Sequence, residues 1–121
     1  MAYGTLLTDT INASSGVLAT QNGMTGIAKA WVNFDGTTAT PSTINNSFNV
    51  ASITKTGTGT YTINFTTAMP NANYSIAGMV NADSRTVSIG SLATSSASIR
   101  VSNTSAALVD LSIVCVVAFS S

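Results

Sequence analysis

The sequence predicts an all-β protein: an antiparallel β-sandwich or jelly-roll-like domain over residues 27–121, behind an extended N-terminal arm at residues 1–26. Three observations carry this reading. Apolar residues recur at every second position in short runs between Ala28 and Phe119, the period of a strand with one buried face. β-branched residues dominate those runs, as a pleated, half-buried surface favours. No segment of the region sustains the 3.6-residue apolar period of an amphipathic helix.

Taken in order, residues 1–26 hold few apolar positions, and Gly4, Gly16, Gly23 and Gly26 lie too close together for a helix interior. A segment that can bury so little alone is expected to dock on its own domain, a neighbouring copy or a larger scaffold, with Leu6, Leu7 and Ile11 as anchors. From Ala28 the period is two. Ala28, Ala30, Val32 and Phe34 share one face, Lys29, Trp31 and Asn33 the other, and Asp35-Gly36 supplies a turn that tolerates positive φ. After a Thr-rich loop containing Pro41, the residues Phe48, Val50 and Ser52 alternate with Asn49, Ala51 and Ile53 in one strand. The clearest strand sets Tyr61, Ile63 and Phe65 against Thr60, Thr62, Asn64 and Thr66, with Lys55 to Gly59 as a hairpin loop before it. A turn cluster from Ala68 to Asn73 precedes Tyr74, Ile76, Gly78 and Val80, followed by Val87 with Ile89 and Ile99 with Val101. Seven or eight short strands are expected.

The last run differs from the rest. Val109, Leu111, Ile113, Cys115, Val117 and Phe119 fall on one face, and Leu108, Asp110, Ser112, Val114, Val116 and Ala118 on the other. From Ile113 onward both faces are apolar, whereas a strand wet on one side alternates throughout. Burying a valine contributes roughly 1.5 kcal/mol or more, and a bare apolar strand invites aggregation. The first face is therefore assigned to the core, and Val114 and Val116 to a subunit interface or a contact with the arm.

Composition narrows the function classes. Only 7% of residues are charged, the formal net charge is zero, Glu and His are absent, and Ser, Thr and Asn supply 47 of the 121 residues. Typical soluble domains carry roughly 25% charged residues. With little repulsion between copies, such a surface suits a protein whose faces are covered by neighbours. Lys29, Lys55, Arg85 and Arg100 are scattered, so the clustered cations of a nucleic-acid binder are not there. No apolar run approaches the roughly 20 residues of a transmembrane helix, and the opening residues do not read as a secretion signal. The Asn-X-Ser/Thr matches, at Asn12, Asn45, Asn64, Asn73 and Asn103, are what so rich a composition yields by chance.

No catalytic constellation is legible. Without His, a nucleophilic Ser or Cys would need Lys29 or Lys55 as its base, and both are expected at solvated positions. The carboxylates are Asp9, Asp35, Asp83 and Asp110. Asp35 reads as a turn residue, Asp83 as a surface partner of Arg85, and Asp110 as the start of the last strand, so neither an acid/base pair nor a calcium loop is expected. Gly57-Thr58-Gly59 lacks the lysine and helix of a phosphate loop. Cys115 reads as an inert thiol among valines. No cofactor is expected. Trp31, on the more polar face of its strand, has three readings: a platform for a sugar ring, an anchor between subunits, or internal packing beneath the arm.

Several segments carry a resemblance. Ala28-Lys29-Ala30-Trp31-Val32-Asn33-Phe34-Asp35-Gly36, Phe48 to Ile53, Gly57 to Phe65, and Ala68-Met69-Pro70-Asn71-Ala72-Asn73-Tyr74 resemble, in wording and order, a family of small bacteriophage virion proteins. Those proteins are described as tail-fibre-like or structural; the opening Tyr3-Gly4-Thr5-Leu6 and Asp9-Thr10-Ile11 is similar to their start. The resemblance covers residues 3–11 and 28–80, and the last 40 residues fall outside it. It implies a non-enzymatic component of the virion, a β-rich homotrimer in contact with other particle proteins of capsid or tail, and it supplies no site residues. A chain this short, with neither coiled-coil heptads nor a repeat-built shaft, is expected to be a trimeric capsid decoration (cement) protein or short head fibre. The alternative is a tail-fibre or receptor-binding tip that recognises a host glycan.

Overall fold

The computed structural model describes residues 26–120, which form a two-layered antiparallel β-sandwich with no helix among them. The proposed arm residues Leu6, Leu7 and Ile11 lie outside the described residues. Eight strands follow in order: β1 (Ala28–Phe34), β2 (Ile44–Phe48), β3 (Val50–Gly57), β4 (Thr60–Phe65), β5 (Ser75–Val80), β6 (Thr86–Leu92), β7 (Ser96–Ser102) and β8 (Val114–Phe119). One sheet has the order β2-β1-β8-β5 and the other β3-β4-β7-β6. A jelly roll folded from one long hairpin would pair first with last, second with seventh, third with sixth and fourth with fifth. Only the first of those pairings, β1 with β8, is present, so the sandwich is the architecture realised.

The core lies between the sheets, where the period-two faces meet. Ala30, Val32, Phe34, Val114, Val116 and Ala118 come from the first sheet, and Val50, Ile53, Tyr61, Ile63, Phe65, Ala97, Ile99 and Val101 from the second; all are buried. Two edge-to-face aromatic pairs lock the layers. Phe34 meets Tyr61 with centroids 5.1 Å apart at 71°, and Phe65 meets Tyr74 at 5.9 Å and 73°, geometries favoured by the ring quadrupoles.

Three local departures from alternation shape the molecule. Phe48 to Ile53 is not one strand. Asn49 adopts φ 57°, a left-handed conformation that Asn tolerates better than most residues, and there the chain leaves the first sheet for the second. The Asn49 side chain holds the corner: its Nδ2 donates to the carbonyls of Lys29 and Thr67, and its Oδ1 accepts from the Thr67 amide at 2.7 Å. Two residues on, Ala51 is an extra residue between the pairs Val50–Phe65 and Ser52–Asn64. That bulge lets Val50 and Ile53, three apart, both face the core.

The third departure corrects an expectation. Lys29, assigned to a solvated face, is 2% exposed. Ala28 and Ala30 pair with the consecutive residues Phe119 and Ala118, so Lys29 is the extra residue of a bulge and the simple two-face count fails there.

Candidate functional site

Polar chemistry gathers at one place inside the molecule. Asp110, expected to open the last strand, instead sits in the connection that precedes β8. Its Oδ2 accepts from Lys55 Nζ at 2.7 Å, and its Oδ1 accepts from the Gly59 amide and the Tyr61 hydroxyl, both at 2.8 Å. Tyr61 Oη also lies 2.9 Å from the Gly36 carbonyl, so its single proton is shared between two acceptors. Lys55, assigned to solvent in a five-residue loop, is part-buried here, because β3 runs to Gly57 and only Thr58 and Gly59 turn the hairpin.

Burial raises the Asp110 carboxyl's pKa, but hydrogen bonds from Lys55, Gly59 and Tyr61 outweigh it and hold the group below the ordinary carboxylate value. Burial, reinforced by the Asp110 charge, drives the Tyr61 phenol the other way, far above its usual value. A carboxylate kept ionised and a phenol kept protonated, both saturated by fixed partners, do the work of a clamp; neither is poised to move a proton at neutral pH.

Glycine is required twice around this clamp. Gly59 has φ +62°, and a Cβ there would fall 2.6 Å from the Val101 carbonyl and 2.8 Å from Val109 backbone atoms. At Gly36 the reason differs from the one the sequence suggests. Its φ is not positive; a Cβ would instead strike the Tyr61 hydroxyl at 2.5 Å and the Leu111 carbonyl at 2.8 Å.

The remaining candidates do not converge. Asp35 accepts from the Thr37 amide and hydroxyl, which lower its pKa. Arg85 donates to the backbone carbonyls of Asp83 and Ser84. Among the described residues no group of three or more Cys, Asp, Glu or His side chains could hold a metal ion.

The two outer faces of the sandwich are more informative, because they differ in kind. Register across the first sheet aligns Phe48, Trp31, Val117 and Ala77 in one outward row, and Asn46, Asn33, Cys115 and Met79 in the next. Phe119 and Ser75 continue the face on β8 and β5. No position in these rows carries a charge. Trp31 is 37% exposed, Phe119 42% and Met79 77%, and an open trough of about 570 Å³ has Trp31 and Met79 as walls and Cys115 and Val117 as floor. Register across the second sheet aligns Thr54, Thr62, Ser98 and Ser91 outward, beside Ser52, Asn64 and Ser96, and Thr60, Arg100 and Ser88. That face is a hydroxyl and amide surface, cross-linked by Asn64 to Ser52 and Thr54 and by Ser91 with Ser98. One side of the molecule is greasy and the other is wet.

This corrects the interface assignment. Val114 and Val116 are 0% and 5% exposed, inside the sandwich opposite the second sheet, so they are core and not a contact surface. The error was one of phase: residues 103–113 are not a strand, so parity counted through Val109 and Leu111 does not carry into β8. Trp31 does lie on the outer face. It is joined by Cys115, Val117 and Phe119, which the same parity error assigned to the core, and by Met79, whose one signal in the sequence is its alternation with Gly78 and Val80. No protein-family model, curated protein or solved structure matches the chain.

Proposed function

We propose that the chain is a non-enzymatic structural protein of the bacteriophage particle, working as a homo-oligomer, a trimer, in capsid decoration or as a short head fibre. The observation that carries this reading is the uncharged apolar outer face of the first sheet on a chain of zero net charge. Monomeric surfaces rarely keep a contiguous apolar patch beyond a few hundred Å², and an open one without charge is a liability for a protein that works alone.

The fold also explains why the virion-like segments contain no site. Ala30, Val32, Phe34, Val50, Ile53, Tyr61, Ile63, Phe65, Met69 and Tyr74, most of the apolar residues of those segments, are core, so the shared wording encodes the sandwich. Trp31 and Phe48 are the exceptions that point outward. The test is made on particles: the protein should map to the capsid surface by cryo-electron microscopy, and stripping it should lower resistance to heat and osmotic shock while adsorption persists. Loss of adsorption with unchanged robustness would refute decoration.

A second reading rests on Trp31 beside Asn33 along the trough, an arrangement able to stack and hydrogen-bond a sugar ring. A receptor-binding tip of that kind would bind host glycan in purified form and block adsorption, and Trp31→Ala would abolish both.

A further inference from the structure

We propose that the outer face of the first sheet is where copies of this chain meet, with Trp31, Cys115, Val117 and Met79 of one copy packed against the same face of the next. The inference rests on the homo-oligomer of the reading above and deepens it by naming the surface and its occupant; a face that meets its own copy makes a two-fold contact, so this surface joins copies in pairs and the trimer of that reading needs a second contact elsewhere.

Charge selects the occupant. A face with no Lys, Arg or Asp offers nothing to a charged partner and makes such a partner lose solvation without return. It costs no charge desolvation when it meets another uncharged face, and a second copy supplies such a face with the same area and the same lack of charge.

Area agrees. Four strands about 4.8 Å apart and about 20 Å long present roughly 400 Å² in projection, so two faces bring together about 800 Å² before the rims are counted. That lies below the roughly 1,000 Å² of a stable specific interface and in the range of weak contacts, so the whole face and its rims must be used and the affinity is expected no tighter than micromolar. β8 is an inner strand of the sheet, so the symmetry axis of a closed assembly runs near it. Cys115, the chain's single cysteine, then lies close to its own counterpart, within the roughly 10 Å at which sheets stack.

The experiment uses the full chain. Light scattering should show mass rising from one copy to a closed assembly between about 1 and 100 µM. Alkylation of Cys115 by a maleimide should be about fourfold slower at the higher concentration, the protection expected for a Kd near 10 µM, and a short bis-maleimide should trap covalent multimers. Trp31→Asp combined with Met79→Asp, on side chains 37% and 77% exposed, should keep the strand circular dichroism while holding the chain as one copy, the urea midpoint falling only by the packed part of Trp31. An assembly that survives this double substitution would overturn the choice of face but leave the assembly reading standing. A single copy at every concentration would overturn both. A single copy whose Cys115 is protected even when dilute would mean the face is covered from within its own chain, which also overturns the proposal.

Discussion

Asp110→Ala withdraws one carboxylate from three donors that have no equal replacement. The Gly59 amide, buried behind the Val101 and Val109 backbones, loses its acceptor, and leaving such a donor unsatisfied costs about 1–3 kcal/mol. The Lys55 ammonium, on a side chain 15% exposed, loses its counter-charge but keeps a rim of water, which adds about 1 kcal/mol. Tyr61 retains the Gly36 carbonyl and adds little. The total is roughly 3 kcal/mol, which with a urea m-value of about 1.5–2 kcal/mol/M moves the unfolding midpoint down by about 1.5–2 M. A shift below about 0.5 M would refute the reasoning, since that is what an exposed surface pair gives.

Asp110→Asn keeps an acceptor for Gly59 and should recover about half of the loss. The pH dependence has a fixed sign. Because the folded carboxyl titrates below its ordinary value, the unfolded chain binds more protons in that window, and stability rises with pH. The contribution is complete above about pH 4–5 and is lost as the pH falls through the folded value. Asp35 titrates in the same direction, so the diagnostic is the difference in slope between wild type and Asp110→Asn.

Three further outcomes are expected. Gly59→Ala combines a left-handed φ, costing about 1–2 kcal/mol, with backbone contacts that must yield, and calorimetry should record a melting temperature lower by about 10 °C; a change under 2 °C would contradict the turn geometry. Asn49→Ala should lose about 3 kcal/mol in urea unfolding, whereas Asn49→Gly, which removes the same hydrogen bonds but accepts the conformation, should lose about 1 kcal/mol less; equal losses would show that the backbone conformation at the corner is unstrained for alanine. Val116→Asp buries an uncompensated charge and should leave the chain unfolded by circular dichroism, while a folded Val116→Asp protein would move that side chain out of the core.

The fold was legible where alternation runs without interruption. In β4 and β7 the inward residues Tyr61, Ile63, Phe65, Ile99 and Val101 follow from parity alone, because regular pairing leaves no other choice of face, whereas Ala97, at the end of a Ser/Thr/Ala run that reads as a turn, is a core residue of β7. Bulges defeat parity, and that is why Lys29 and Ile53 fell on unexpected sides. β2 escaped notice because Ile44-Asn45-Asn46-Ser47-Phe48 is a polar edge strand whose pattern resembles a loop. The clamp was illegible for a different reason: Asp110 finds its partners 49 to 55 residues away along the chain, a distance at which spacing carries no information. The candidate face was half legible, since the doubly apolar last strand announced a second apolar face, but choosing which side required knowing where the strand begins.

The unlike outer faces give the molecule a direction. The sheets are back to back, so whatever seals the apolar side turns the Ser/Thr/Asn side toward solvent, and orientation is settled by the same event as attachment. Because the side chains of Ser52, Thr54, Thr62, Ser88 and Ser98 face away from both the core and the greasy side, that surface can exchange one small polar residue for another, as the visible side of a tile can be repainted without loosening it.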